Sequence, residues 1–248
     1  MSALQSAALP LGRFVFRYRD YLAVVAVLAT IVLMPPVAFL HRDDADLALD
    51  GVGLVVALTG QALRAVVIGL AYIKRGGRNK EITADRLVCD GVFAHSRNPL
   101  YLGNFLIVTG LLIMWNSPLA YVVVLTILGA SLLSIVRAEE QFLVGRFGGE
   151  YVDYCKRVPR FIPRLAGFGD TLGQFDFDWR RLIRKEYGTT FAWITVALVL
   201  FVVEKAWWHG VEAAIGRCRI AFAVWLVALA LYLTARWLKK THRIDSSD

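Results

Sequence analysis

Three consecutive residues, Arg97, Asn98 and Pro99, stand directly before the apolar run Leu100–Trp115. Asparagine is favoured at the N-cap of a helix and proline at the first helical position, so the pattern predicts a helix that begins at Pro99. The first turn of a helix carries unpaired N–H groups and a partial positive charge, which together with a guanidinium group would bind an anion. An ordinary capped helix, whose arginine only sets its orientation, is the alternative interpretation.

Two adjacent carboxylates, Glu139 and Glu140, follow the apolar run Leu119–Val136. We expect them at the end of a membrane-crossing helix, where they oppose the helix dipole and need a cation nearby. The neighbouring Arg137 or Arg146 would supply that cation if the two glutamates are ordinary surface residues. A cationic ligand is the alternative.

The sequence Asn-Ser-Pro at residues 116–118 separates these two apolar runs and predicts a tight antiparallel helical hairpin. The helix ends that carry Arg97-Asn98 and Glu139-Glu140 should therefore lie side by side at one membrane edge. One group suits an anion and the other suits a cation. A ligand with both charges would fit between them.

The segments LVCDGVFAHSRNPLYLG and RAEEQFLVGRFGGEYVDYCKRVPRFIPR carry these residues. As a pair, they resemble the isoprenylcysteine carboxyl methyltransferase family and the related phospholipid N-methyltransferases, over about residues 51–165. That resemblance implies a polytopic protein that binds S-adenosylmethionine at the cytoplasmic ends of its helices. It implies cofactor-binding roles for Arg97, Asn98, Pro99, Tyr101, Glu139, Glu140, Tyr151 and Tyr154, and catalytic roles for Glu139, Glu140 and Arg157.

The sequence departs from the family at Asn98, where the family has a histidine. Asparagine can cap a helix and donate hydrogen bonds, but it cannot act as a base. An amine acceptor would need one proton removed, for which Glu139 or Glu140 is the candidate. His95, three residues earlier, could substitute for the family's histidine, but we expect it at the surface.

The positioning elements are predicted from the apolar runs. Of the 248 residues, 57% are hydrophobic, and the runs are long enough to cross a bilayer core of about 30 Å. Because backbone groups in lipid must pair within their own segment, the runs should be helices. We predict an all-α, polytopic integral membrane protein of about six transmembrane helices, with cytoplasmic loops and an amphipathic helix at Asp178–Tyr187. The six runs are Tyr21–Leu40, Gly51–Ile73, Leu100–Trp115, Leu119–Val136, Thr190–Trp208 and Ile220–Leu238.

Charge predicts the orientation of the chain. Lysine and arginine collect in the segments that six spans place on one side, whereas the alternate loop His41–Asp50 carries four aspartates. The positive-inside rule then places both termini in the cytoplasm. The net charge of +8 also favours contact with anionic membrane lipids, while the lack of a continuous basic stripe argues against nucleic acid as a partner. The histidines and cysteines lack metal-ligand spacing.

Two regions are expected along the chain. Residues 1–165 would form a methyltransferase-like core of four spans with cofactor-binding loops, and residues 166–248 would hold the amphipathic helix and two additional spans. Gly167–Gly173 between them resembles a flexible joint. Arg64 lies deep in the second run, where it should face either a polar cavity or a polar neighbour that its long side chain reaches.

The predicted function is methyl transfer from S-adenosylmethionine to an apolar or lipid-like small molecule reached from the bilayer. Two other classes stay open at this point. The helical core is also similar to part of the membrane sterol reductases, which would imply hydride transfer from a nicotinamide cofactor. A non-catalytic membrane scaffold or transporter is the third possibility.

Overall fold

The computed structural model describes residues 25–38, 43–70, 86–173 and 176–244. Within these residues every regular element is helical, which confirms the all-α fold class. In chain order the elements are α1 (25–33), α2 (Asp43–Leu70), a 3-10 helix (Gly91–Ala94), α3 (Pro99–Trp115), α4 (Pro118–Phe147), α5 (Gly149–Arg157), α6 (Phe168–Gly173) and α7 (Trp179–Lys240).

Three of these helices, α2, α4 and α7, are long and apolar enough to cross a membrane, and α3 is a shorter apolar helix. The first predicted run, Tyr21–Leu40, and the end of the second, Gly51–Ile73, lie partly outside the described residues. The six crossings therefore stay a prediction.

The last two predicted runs lie in α7, which is bent back on itself at Gly210. This residue has φ 81° and ψ 169°, a conformation that favours glycine. The rings of Tyr187 and Tyr232 lie 5.3 Å apart, and Arg217 donates a hydrogen bond to the Phe201 carbonyl at 3.0 Å. Such contacts require two antiparallel arms, residues 179–209 and 211–240, which we call the C-terminal hairpin.

Helices α2 and α3 touch through their backbones at two glycine pairs. A Cβ atom added to Gly53 would lie 2.5 Å from the Gly110 carbonyl oxygen, and one added to Gly60 would lie 2.6 Å from the Gly103 carbonyl oxygen. Each helix thus presents two glycines, two turns apart, to the other. Close packing of small residues is a common basis of helix association in membranes.

The turn between α3 and α4 forms as its sequence predicts. Asn116 adopts the left-handed conformation, and the Ser117 side chain caps α4 by accepting from the Ala120 N–H. Trp115 is fully buried and donates from its indole nitrogen to the Met34 carbonyl at 2.7 Å. This contact fixes the α3–α4 hairpin to the segment that follows α1.

Two local expectations were wrong. The segment Gly167–Gly173 is not an open joint, because residues 168–173 form helix α6, preceded by Gly167 in the left-handed region. The amphipathic segment Asp178–Tyr187 is not a separate helix. It is the beginning of α7, capped by the Asp178 carboxylate that accepts from the Arg181 N–H at 2.9 Å.

Candidate active site

Helix α4 continues about three turns beyond Val136, where its apolar run ends. Its last residue is Phe147, seven residues after Glu140. The expectation that Glu139 and Glu140 stand at a helix C-terminus was therefore wrong, and no dipole penalty applies to them, since that effect falls off within the last turn. Their counter-charges must be sought across the hairpin.

Glu140 is held by two guanidinium groups. Arg97 donates from Nη1 to Glu140 Oε1 at 2.8 Å, and Arg160 donates from Nε and Nη2 to the two carboxylate oxygens at 3.0 and 2.8 Å. The side chains of Arg97 and Glu140 are only 13% and 16% exposed, whereas that of Arg160 is 40% exposed. The ends of the hairpin thus meet as predicted, although the partners of Glu140 are neither Arg137 nor Arg146.

Glu139 lies on the same stretch of α4 and bonds to a different residue of α3. The Tyr101 hydroxyl donates to Glu139 Oε1 at 2.7 Å. Pro99 is fully buried at the first position of α3. The start of α3 is thus connected to α4 through Tyr101 in its first turn and through Arg97, which lies two residues before the helix.

The segment that follows α5 runs back along the residues before α3. The Arg97 N–H donates to the Pro159 carbonyl at 2.9 Å, and Asn98 donates from its side chain to the Arg160 carbonyl at 3.1 Å. Ser96 completes this contact with a side-chain hydrogen bond to the Phe161 carbonyl at 2.9 Å. The loop before α3 is therefore fixed by hydrogen bonds to residues 159–161, about sixty residues later in the sequence.

His95 was expected at the surface, which was wrong. It is 6% exposed, and its two ring nitrogens lie 2.7 Å from the Arg164 carbonyl oxygen and 2.8 Å from Thr171 Oγ1. Its ring also packs edge-on against Phe168. Because both nitrogens are engaged, His95 serves to anchor α6 to the loop before α3.

Helix α5 packs against the segment before α3 and brings two buried tyrosines to the site. Tyr151 and Tyr154 are 3% and 2% exposed, and the Tyr154 hydroxyl donates to the Phe93 carbonyl at 2.8 Å. Arg157, by contrast, is exposed, and its Nε donates to the Asp153 carbonyl of its own helix. The structure thus brings together all the expected site residues except Arg157.

The charges at the site fix the protonation of its neighbours. Burial alone lowers the pKa of Arg97, but Glu140, Cys155 and Tyr151 together raise it more, so this pKa lies above its ordinary value. Burial and then the charge of Glu140 raise the pKa of Tyr151. Arg97 stays a cation and Tyr151 a neutral hydroxyl over the working pH range.

The donors before α3 differ in what they already bind. Arg97 Nε is buried and has no hydrogen-bond partner among the described residues. Asn98, at the N-cap of α3, makes no side-chain cap bond and donates instead to the Arg160 carbonyl. The donor atoms around the start of α3 therefore fit the carboxylate of an amino-acid ligand.

Sequence reasoning missed two residues of this site. Arg160 contributes two of the three bonds to Glu140, and Cys155 places its sulfur 2.9 Å from Arg97 Nη1. Both lie in the segment that resembles the methyltransferases. The signal available in the sequence was a second arginine, Arg160, three residues after Arg157.

Comparison with known proteins shows what this part of the chain is similar to. The profile of the phospholipid methyltransferase family matches residues 52–150. The chain is 31% identical over 121 residues to a protein-S-isoprenylcysteine O-methyltransferase of Rattus norvegicus, which covers 48% of this chain and 43% of that protein. The corresponding protein of Saccharomyces cerevisiae is 27% identical over 57% of this chain and 60% of its own length.

A third relative carries a different kind of name. The nickel-cobalt-cadmium resistance protein NccN of Alcaligenes xylosoxydans xylosoxydans is 28% identical over 66% of this chain and 73% of its own length. No solved structure is detectably similar to the chain.

The chain spans about half the length of the isoprenylcysteine methyltransferases that it matches. The matched residues include all of α3 and α4 and the first two residues of α5. They hold every expected site residue except Tyr151, Tyr154 and Arg157. The apolar helices and these matches agree with an integral membrane protein. Over these residues the chain is similar to the isoprenylcysteine carboxyl methyltransferase and phospholipid methyltransferase-like family of membrane proteins.

Proposed function

We propose that this protein transfers a methyl group from S-adenosylmethionine to a lipid-like acceptor that reaches the site from the bilayer. The observation that carries the proposal is the cluster at the start of α3, where Arg97, Glu140 and Arg160 are bonded together beside the Tyr101–Glu139 pair. The matched family gives this cluster a chemical purpose. It favours methyl transfer over hydride transfer and over a role without catalysis.

The proposal divides the work between the two glutamates. Glu140 is occupied by Arg97 and Arg160, so its role is to hold these guanidinium groups in place. Arg97 Nε and the start of α3 would bind the carboxylate of the cofactor. Glu139 would accept hydrogen bonds from the cofactor's amino group or ribose hydroxyls, with Tyr101 fixing the orientation of the carboxylate.

When bound, S-adenosylmethionine supplies a methyl group on a positively charged sulfur, ready for in-line displacement. The residues of this chain then have to align the acceptor and exclude water. A carboxylate acceptor arrives as an anion and needs no base. An amine acceptor needs one, and Glu139, which accepts from the Tyr101 hydroxyl beside the start of α3, is the candidate.

The proposal also places this cluster on the cytoplasmic side, because the loops around it are rich in arginine and lysine. Tyr151 and Tyr154 would close the site from the side of α5. Both chain termini would then lie in the cytoplasm, with about six crossings between them.

Binding should be measured first. The purified protein in lipid nanodiscs is titrated with S-adenosylhomocysteine and, separately, with NADPH, and binding is recorded by calorimetry. We expect binding of the first compound alone. Binding of NADPH alone, or of neither compound by folded protein, would contradict the proposal.

Transfer is measured with S-adenosylmethionine labelled in its methyl group. A prenylated cysteine with a free carboxylate and phosphatidylethanolamine serve as the two acceptors, because the relatives' names and the matched profile point to these two chemical classes. Label in the first acceptor would indicate O-methylation, and label in the second N-methylation. Label in neither, by protein that binds the cofactor, would require another lipid-like acceptor.

A further inference from the structure

Arg64 and Glu186 form a buried ion pair between α2 and the C-terminal hairpin. Arg64 donates from Nε and Nη2 to the two oxygens of Glu186 at 2.9 and 2.6 Å. The two residues are 9% and 4% exposed. Such two-pronged pairing defines direction as well as distance, so it fixes the first arm of the hairpin against α2.

The same guanidinium group also reaches α3. Arg64 donates from Nη1 to the side-chain oxygen of Asn104. The side chain of Arg64 crosses α3 at Gly103, where an added Cβ atom would lie 2.6 Å from Arg64 Cγ. Asn104 lies three residues after Tyr101, one turn deeper along α3.

A second polar contact fixes the register of the hairpin on α2. Gln61 donates to Glu186 at 3.2 Å and accepts from the indole nitrogen of Trp193 at 2.9 Å. Trp193 is also part of an apolar cluster with residues of α2 and α3. The position of Glu186 is thus determined from two directions.

The residues of this ion pair lie in two different parts of the chain, one that matches the methyltransferase family and one that does not. Arg64 and Asn104 lie within the residues that match the methyltransferase family, whereas Glu186 lies beyond them. A cation within the methyltransferase-like core therefore has its counter-ion in the additional hairpin. An uncompensated charge at this depth is costly, so the core depends on the hairpin.

We infer that the C-terminal hairpin is part of the methyl-transfer unit and that Glu186 is a positioning residue for the candidate site. Glu186 holds Arg64, and Arg64 holds Asn104 on α3, whose first turn carries Tyr101 and directly follows Arg97 and Asn98. The start of α3 is therefore held on its helical side by the C-terminal hairpin, through Arg64 and Asn104, and on its loop side by the contact between Arg97 and Glu140. The inference deepens the proposed function and rests on it.

Three variants separate positioning from simple charge compensation. Glu186→Gln leaves Arg64 buried without a counter-ion. The double variant Arg64→Gln with Glu186→Gln removes both charges, which often restores stability. Glu212→Gln makes the same chemical change at an exposed position of the same hairpin and serves as the matched control.

The readouts are the melting temperature, the Kd for S-adenosylhomocysteine and the kcat and KM for methyl transfer. We expect Glu186→Gln to lower the melting temperature and the double variant to recover most of it. In both, the Kd should stay weakened and kcat should stay lowered, by about tenfold to a hundredfold, because small displacements of positioned groups are that costly. Recovery of Kd and kcat together with stability would overturn the inference, as would wild-type values in Glu186→Gln.

A further readout does not depend on the reaction. Cys155 lies against Arg97, so its rate of maleimide labelling reports on the structure of the site. In protein that carries Cys89→Ser and Cys218→Ser, we expect faster labelling of Cys155 in Glu186→Gln and in the double variant than with Glu186 intact. Unchanged labelling rates would refute the positioning role of Glu186, whether or not the wild type binds the cofactor. Failure of the wild type to bind the cofactor would instead refute the proposed function alone.

Discussion

Glu140→Gln should destabilise the protein, since it removes the negative charge that joins Arg97 to Arg160. Glutamine has the same shape, but one of its two terminal groups is a donor that cannot accept from a guanidinium group. The variant therefore loses at least one of the three hydrogen bonds to Glu140 and leaves the cation of Arg97 largely buried without a counter-charge.

The size of the effect follows from burial. A hydrogen bond to a charged group contributes about 1.5–3 kcal/mol. The bonds from Arg160 count for less, because its side chain is 40% exposed and solvent screens it. The bond from Arg97 dominates, so we expect a loss of about 2 kcal/mol, which for a chain of this size corresponds to a fall in melting temperature of about 4–8 °C.

The assay is thermal unfolding in detergent micelles, followed by tryptophan fluorescence, with wild type and variant heated at the same rate. Glu150→Gln is the matched control, because Glu150 is exposed on the neighbouring helix α5. A melting temperature for Glu140→Gln equal to that of the control would mean that the cluster adds no stability. The assignment of Glu140 to the arginines would then be wrong.

Three further predictions follow from the same geometry. Glu139→Gln keeps an acceptor for the Tyr101 hydroxyl and should weaken S-adenosylhomocysteine binding about tenfold or more by calorimetry. A normal Kd would remove Glu139 from the proposed site. Gly110→Ala should force α2 and α3 apart and lower the free energy of unfolding by about 1–3 kcal/mol. The melting temperature is compared with that of Gly129→Ala, whose added Cβ meets nothing within 4 Å. Equal melting temperatures would show that the two helices do not pack closely. Arg157→Ala should leave cofactor binding and kcat near wild type, since this side chain is exposed, and a large loss in either would restore the role that the family resemblance implies.

The local features of the fold could be predicted because their causes lie within a few residues. The turn at Asn116–Pro118 follows from its own residues, and once it is tight the meeting of Arg97 and Glu140 follows from geometry. The extent of α4 was harder, because hydropathy marks where a helix leaves lipid and not where it ends. The residues after Val136 are polar, but several are strong helix formers, so the helix continues to Phe147.

The long-range contacts could not be predicted in the same way. Arg160 reaches Glu140 only because the chain after α5 returns along the loop before α3, and nothing near Arg160 in sequence specifies that path. Glu186 lay in a segment with the composition of a surface helix, so its burial against Arg64, which is 122 residues away in sequence, was hidden. In both cases a charge found its partner through tertiary structure.

The glycine contacts between α2 and α3 restrict how the protein can open toward lipid. The backbones of α2 and α3 meet at Gly53 and Gly60, so an acyl or prenyl chain cannot pass between these two helices there. They should move as one rigid body during any opening. The boundary between α3 and α4 offers a different route, and Tyr101 and Glu139 lie on it, joined by a hydrogen bond. If the protein methylates such an acceptor as proposed, its lateral opening would be a displacement of α4 away from a fixed pair of helices.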